Sequence, residues 1–280
     1  FTVRDAGDRI LFIFVFRELG GNPWSGPNGW SLQQVHVYIK TTLSEPGSQS
    51  TFGLNVTVVH GWHMALLVAP GWGTDPLPVG EKTALYYYDK DNPLVQDGSL
   101  RAYADHATKS IIVEVSKNVL YDVENIAEWV YVVVVTSHDG YGPERIRPFI
   151  IGGGEWAVEV PNIQEYALAL IKGIFPRVLD LLAPTAEDQY SMLKSFDVDR
   201  GEPAKLRGVS RYGLVPEIPT ETPPPETPTP SPTPTPTETP SPTPTPEPSL
   251  LEWFRKPEIV IALIIAVIVI ATAIAVIGRK

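Results

Sequence analysis

The 280-residue sequence has no cysteine, so no disulfide can staple it and any folded part must hold together by its core alone. Histidine is scarce, with five residues, and only His60 and His63 lie close together. Their spacing spans a Gly-Trp turn with no third ligand nearby, which reads as turn histidines rather than zinc ligands. Positive charge is short as well: the formal net charge is −10, and residues 1–216 taken alone are also net negative. That is the wrong sign for a nucleic-acid binder. Catalytic patterns are also missing. Ser137, His138 and Asp139 are neighbours in one loop and cannot face each other as nucleophile, base and orienter. Asp139, Glu144 and Glu155 are loop acids, but nothing marks two of them as a pair set across a sugar cleft. No catalytic residue is read, and the segment is expected to be non-catalytic. No repeat of solenoid or propeller length occurs.

A long apolar run is absent from residues 1–258 and present once after them, at residues 259–277. These 19 residues carry no charge, and as a helix they reach about 28 Å, close to a bilayer's hydrocarbon core. A buried core helix would alternate apolar and polar faces, whereas every face here is Ile, Val, Ala, Leu or Thr. Trp253 and Phe254 precede the run as interfacial aromatics do. Residues 253–280 are therefore expected to be a single transmembrane anchor with a short cytoplasmic tail. Before it lies a Thr-Pro stalk, PTETPPPETPTPSPTPTPTETPSPTPTPEP, within residues 213–252. Alternating proline removes backbone donors, and nothing there is apolar enough to offset ordering, so an extended, solvated chain is expected. Thr-Pro stalks with glutamate and no Lys or Arg belong outside cells, which places residues 1–252 at the cell surface as an expectation. Phe1 is neither an initiator methionine nor the start of a signal peptide, so the chain is expected to be processed or a fragment.

Residues 1–212 read as one mainly β domain. FTVRDAGDRILFIFVF reads as strand, turn, strand, with residues 9–16 apolar on both faces, as in a centrally buried strand. Residues 32–40 alternate as a half-buried strand. Further strands are predicted at 54–59, 64–69, 84–88, 110–115 and 129–136, the first two as a tight hairpin. Helical spacing follows at 163–172 and 186–196, the second starting near Thr185 with Glu187 and Asp188 in its first turn. Residues 204–210 read as a last strand or a tether. Many short strands with loop tryptophans and few helices argue an antiparallel β-sandwich, jelly-roll-like, with one or two short C-terminal helices.

Four stretches carry a resemblance: FTVRDAGDRILFIFVFRELGGNPWSGPNGWSLQQVHVYI, GWHMALLVAPGWG, WVYVVVVTSHDGYGPERIRP and FPRVLDLLAPTAEDQYSMLKSFD. Their order and spacing resemble the C-terminal domain of glucodextranase and related archaeal proteins, a family near the DOMON and family-nine carbohydrate-binding modules. The resemblance implies a carbohydrate-binding or accessory module on a cell surface. Its expected partners are a glucan or other polysaccharide and a pullulanase- or glucodextranase-like hydrolase. The acidic, Gly-Pro-rich segment expected before Phe1 is not in this sequence. Two other readings compete. A DOMON-type haem protein would need axial ligands, with His63 and Met64 the first suspects, and a structural surface or adhesion protein would contact other proteins.

Trp24, Trp30, Trp62 and Trp72 each lie in or beside a Gly-Pro-rich connection. Presented at a surface, an indole can cover the apolar face of a sugar ring while Asn28, Gln33 and Asp139 bond its hydroxyls. The competing reading is that these indoles plug the sandwich ends. Asp89, Asp91 and Asp97 crowd YYYDKDNPLVQDG and offer hard oxygens to a calcium ion, against the plainer reading of an Asp-Asn-Pro turn. Asn55-Val56-Thr57 is an N-glycosylation sequon, or a chance match inside a strand.

Overall fold

The computed structural model describes residues 1–77, 80–160 and 162–216. Nearly all of the stalk and the whole apolar run at 259–277 lie outside these residues. Among the described residues no helix is long and apolar enough to cross a membrane. In chain order the strands are β1 (Thr2–Asp5), β2 (Arg9–Val15), β3 (Gln33–Lys40), β4 (Val56–Val58), β5 (Met64–Val68), β6 (Ala84–Tyr87), β7 (Leu94–Val95) and β8 (Leu100–Asp105). They continue with β9 (Ser110–Ser116), β10 (Val130–Ser137), β11 (Phe149–Ile150), β12 (Val158–Glu159), β13 (Asp180–Leu181), β14 (Ala204–Leu206), β15 (Val209–Ser210) and β16 (Gly213–Leu214). Two helices, α1 (Ile163–Ile171) and α2 (Ala186–Leu193), fall late in the chain.

Two antiparallel sheets make the sandwich. The smaller has the order β1-β2-β9-β8, and the larger runs β16-β15-β10-β3-β5-β6-β7 with β13 also on β10. Alternation sends Ile10, Phe12 and Phe14 of β2 and Ile111, Val113 and Val115 of β9 inward. There they meet Val35, Val37 and Ile39 of β3 and Met64, Leu66 and Val68 of β5, forming the core between the sheets. β2 is central in its sheet but its outer face is not fully covered as expected: Leu11 is buried, Ile13 is half-buried and Val15 is 64% exposed.

The larger sheet is the one buried on both faces. Tyr38, Ala65, Leu67, Val132 and Val134 point away from the first core into a second one, closed by Val178, Leu181, Met192, Ala204 and Leu206. β3 is therefore not half-buried. Gln34, His36 and Tyr38, which read as a solvent face, are at most 1% exposed, because residues 52–62, the loop at Glu144 and the chain after residue 175 cover that face. The expected hairpin of 54–59 with 64–69 is also corrected. β4 pairs in parallel with β14, whereas β5 lies between β3 and β6.

The late helices form where their signals stand. Thr185 caps α2, its hydroxyl accepting from the Asp188 amide at 3.1 Å, and Met192 anchors the helix in the second core. The pairing registers then decide where the long loops emerge. Gln33 opposes Ser137, and Val35 opposes both Val135 and Val68, so the start of β3 and the ends of β5 and β10 lie side by side at one end of the large sheet. The loops of residues 17–32, 69–83 and 138–148 all leave from that end.

Candidate functional site

These three loops, joined by the turn between β11 and β12, enclose a cleft of about 560 Å³. Trp24 comes from the first loop, Trp72 and Glu81 from the second, His138, Asp139, Tyr141, Arg145 and Arg147 from the third, and Trp156 from the β11–β12 turn. Glycine permits close packing within the first loop and between the first two. A Cβ on Gly26 would stand 1.9 Å from the Trp30 carbonyl oxygen, and one on Gly71, at φ +96°, would meet the Asn28 side chain at 2.7 Å.

Polar side chains fix the first loop. The Asn22 carboxamide accepts from the Gly26 amide and the Ser31 hydroxyl, and Ser31 Oγ in turn accepts from the Trp24 amide. The Trp72 indole N–H donates to the Trp24 carbonyl at 3.2 Å, joining the two loops. Trp24 and Trp156 are 45% and 50% exposed, with ring centroids 5.4 Å apart and planes inclined at 46°. Two indoles left half in water on one rim are unusual for a residue that is highly buried on average.

The third loop is held from beneath by Arg177. Its guanidinium donates to the carbonyls of Gly53, Pro143 and Ile146 and to Glu144 Oε2. The loop needs such a clamp because Glu144 and Arg145 both adopt left-handed backbone, at φ 51° and 57°. Arg145 then turns into the cleft, pairing with Glu81 at 3.8 Å and donating to the Gly140 carbonyl. The Arg147 guanidinium lies 5.5 Å from the Trp156 ring centre.

His138 lies in the wall of the cleft. Its ring stacks obliquely on Trp72, with centroids 5.3 Å apart, and the residue is 3% exposed. Among the described residues neither ring nitrogen, both closed to solvent, has a hydrogen-bond partner. Leaving a buried polar group unmatched costs about 1–3 kcal/mol. Burial, opposed by Asp139 and assisted by Arg145 and Arg147, pushes its pKa down to about 4, so the ring is neutral near pH 7. His36, in the second core, is pushed down to about 3 by burial first and the Arg177 charge second. Both folded values lie below the ordinary histidine value of about 6.5, so the unfolded chain takes up protons first. Their contribution to stability is complete above about pH 6.5 and is lost as pH falls toward 4 for His138 and toward 3 for His36, on the order of 2 kcal/mol per histidine at pH 5. Calorimetric melting across this range should show a steep fall in Tm that is reduced in a His36→Gln, His138→Phe double variant.

Of the residues predicted from sequence, Trp24, Trp72 and Asp139 converge on the cleft. Trp30 and Trp62 do not: they are 0% and 5% exposed, with indole N–H groups donating to the Gln33 and Ser50 carbonyls, and they are core plugs. Asn28 is buried beneath the rim, in a reciprocal amide pair with Gln96 and a bond to the Ala69 carbonyl, so it supports the loops and is not free to bond a sugar. Gln33 donates to the Leu19 carbonyl and does not line the cleft. Trp156, His138, Arg147 and Glu81 were not identified from the sequence. Trp156 follows Gly152-Gly153-Gly154, the same glycine-flanked signature that marked the other loop indoles.

Two of the three carboxylates considered for calcium are separately engaged. Asp89 accepts from the Tyr121 hydroxyl, and Asp97 caps its own turn through the Ser99 and Leu100 amides. Among the described residues no group of three or more His, Asp or Glu is placed to hold a metal ion. The Asn55 side-chain amide donates to the Phe175 carbonyl, from a residue at φ 55° just before β4. His63 bonds Thr41 and the Glu45 carbonyl, and the Met64 sulfur accepts from the Tyr121 amide.

Residues 1–208 match the family described as the C-terminal binding module, SLH-like, of glucodextranase. No curated protein matches the chain. With about three quarters of its length matched and a mainly antiparallel β fold in place, the chain belongs to the glucodextranase C-terminal binding-module family.

Proposed function

We propose that this module binds a glucan in the tryptophan-lined cleft and serves as a non-catalytic accessory domain at a cell surface. Membership of a binding-module family suggests carbohydrate binding. The observation that carries the finer reading is the pairing of half-exposed indoles with polar side chains in one concavity. Trp24 and Trp156 offer apolar faces, while Asp139, Glu81 and Arg147 offer donors and acceptors at the edges. A pyranose has that same distribution, apolar on its faces and hydroxylated around its rim. Glu81 and Asp139 both line the cleft, and Glu81 is already paired with Arg145.

Affinity electrophoresis tests the reading. The purified module should be retarded in gels containing starch or dextran, and unchanged mobility in both would overturn it. The stalk and the apolar run give the proposal its location: the module stands outside, tethered through residues 259–277, within reach of surface polysaccharide and of a hydrolase acting on it. Deleting residues 259–280 should leave a folded module in the supernatant after membrane pelleting. Pelleting of the truncated form would instead point to an interfacial surface on the sandwich.

A further inference from the structure

One aromatic residue of the cleft is spent on no packing. Tyr141 lines the cleft from the third loop and is 100% exposed, and among the described residues its ring stacks on no other. The backbone that carries it is nonetheless fixed. The Tyr141 amide donates to Asp139 Oδ1 at 2.9 Å, the Gly142 amide closes the turn on the Asp139 carbonyl at 3.2 Å, and the Asp139 amide donates to the Arg145 carbonyl at 2.9 Å. A Cβ on Gly142 would stand 2.4 Å from the Ile146 carbonyl oxygen, so the turn closes only with glycine after Tyr141. Arg177 clamps the far side of the loop through the Pro143 and Ile146 carbonyls. A pinned turn thus holds a large ring out in water, where it adds nothing to the core.

We infer that Tyr141 is a second stacking platform, separate from the Trp24–Trp156 pair, and that the cleft takes a glucan segment of several units in preference to a single sugar or a disaccharide. This rests on the reading of the cleft as a glucan site and assigns its length preference. Trp24 and Trp156 touch, with centroids 5.4 Å apart, so together they offer one platform. Tyr141 is in contact with neither indole, so a sugar ring stacked on that pair leaves the tyrosine for a ring farther along the same chain. The cleft has room for this: its 560 Å³ falls among the sites of about 300–1,000 Å³ that bury drug-sized ligands of several rings. A tyrosine side chain has only two torsions to freeze, and with its backbone already held by the turn, stacking on a sugar costs little entropy. Once one end of a chain rests on the indoles, contact with Tyr141 is intramolecular, which raises the affinity of long chains over short ones.

The test is isothermal titration of the wild type, Tyr141→Ala and Tyr141→Phe with malto- and isomalto-oligosaccharides from the disaccharide to the hexasaccharide. In the series that binds, the wild type should hold the hexasaccharide roughly ten-fold more tightly than the disaccharide. Tyr141→Ala should lose most of that gain while keeping the disaccharide affinity and the wild-type Tm, since the ring packs on nothing in the fold. Tyr141→Phe should bind as the wild type does, because the ring face is kept. Hexasaccharide affinity unchanged in Tyr141→Ala, or reduced by the same factor at every chain length, would overturn the inference and leave the glucan reading standing. A Tyr141→Phe protein as weak as Tyr141→Ala would also overturn it, by assigning the contact to the hydroxyl alone. No binding of either series by the wild type would overturn both.

Discussion

Replacing Trp24 with alanine is expected to weaken binding to starch or dextran fragments by roughly ten- to 150-fold, the loss of about 1.5–3 kcal/mol of apolar contact. The melting temperature should move by no more than about 2 °C, as for a surface substitution in a domain of this size. The separation of the two effects follows from how residue 24 is held. Its amide donates to Ser31 Oγ and its carbonyl accepts from the Trp72 indole, and both are backbone groups that alanine keeps. The indole itself is 45% exposed, so its truncation opens little of the core. Trp156→Ala, at 50% exposure on the same rim, should behave alike. Trp72 is a poorer probe, because its ring packs on His138 and its N–H joins the loops, so its removal disturbs several contacts at once. Isothermal titration and calorimetric melting on the same variants decide the matter. Unchanged affinity in both Trp24→Ala and Trp156→Ala would exclude the rim indoles from binding, and a large fall in Tm would make them structural.

What the sequence showed and what it hid divide along the range of the interactions involved. Hydrophobic runs and turn residues are local, so most strands and both helices stand where alternation, helical spacing and the Thr185 cap place them. Burial is not local. β3 looked half-buried because His36 and Tyr38 are polar enough for a solvent face, but Phe52 and Trp62, with Val178, Leu181 and Met192 from far along the chain, build a second core over that face. The partner of β4 lies almost 150 residues downstream, beyond any hairpin signal. β8, with Arg101 and Asp105 among its few apolar positions, was passed over because its pattern is weak and its neighbour β9 fixes it.

The candidate site divides the same way. Glycine beside tryptophan marks a loop indole but not the side on which it lands. The signature is shared by Trp24, which reaches the rim, and by Trp30, which does not. His138 shows in sequence only as the neighbour of Ser137 and Asp139, and Arg147 not at all, since only the folded loop brings them into the wall of one cleft.

Trp30→Ala is expected to have the largest effect on stability, because Trp30 is wholly enclosed in the inter-sheet core among residues from both sheets. Truncating a buried tryptophan costs about 3–5 kcal/mol through lost contact and the cavity left behind. In a domain of about 200 residues that corresponds to a fall in Tm of roughly 6–20 °C. The indole N–H also donates to the Gln33 carbonyl at 2.7 Å, at the first residue of β3, so truncation loosens the strand start from which the cleft's first loop departs. Trp30→Phe isolates that bond: it keeps most of the volume and loses the donor, and should cost nearer 1–2 kcal/mol. Sugar affinity measured well below the melting transition should stay near wild type in the Phe variant, since the ring never reaches the cleft. A Trp30→Ala protein that melts at the wild-type temperature yet no longer binds glucan would reverse the assignment and return Trp30 to the surface as a sugar platform.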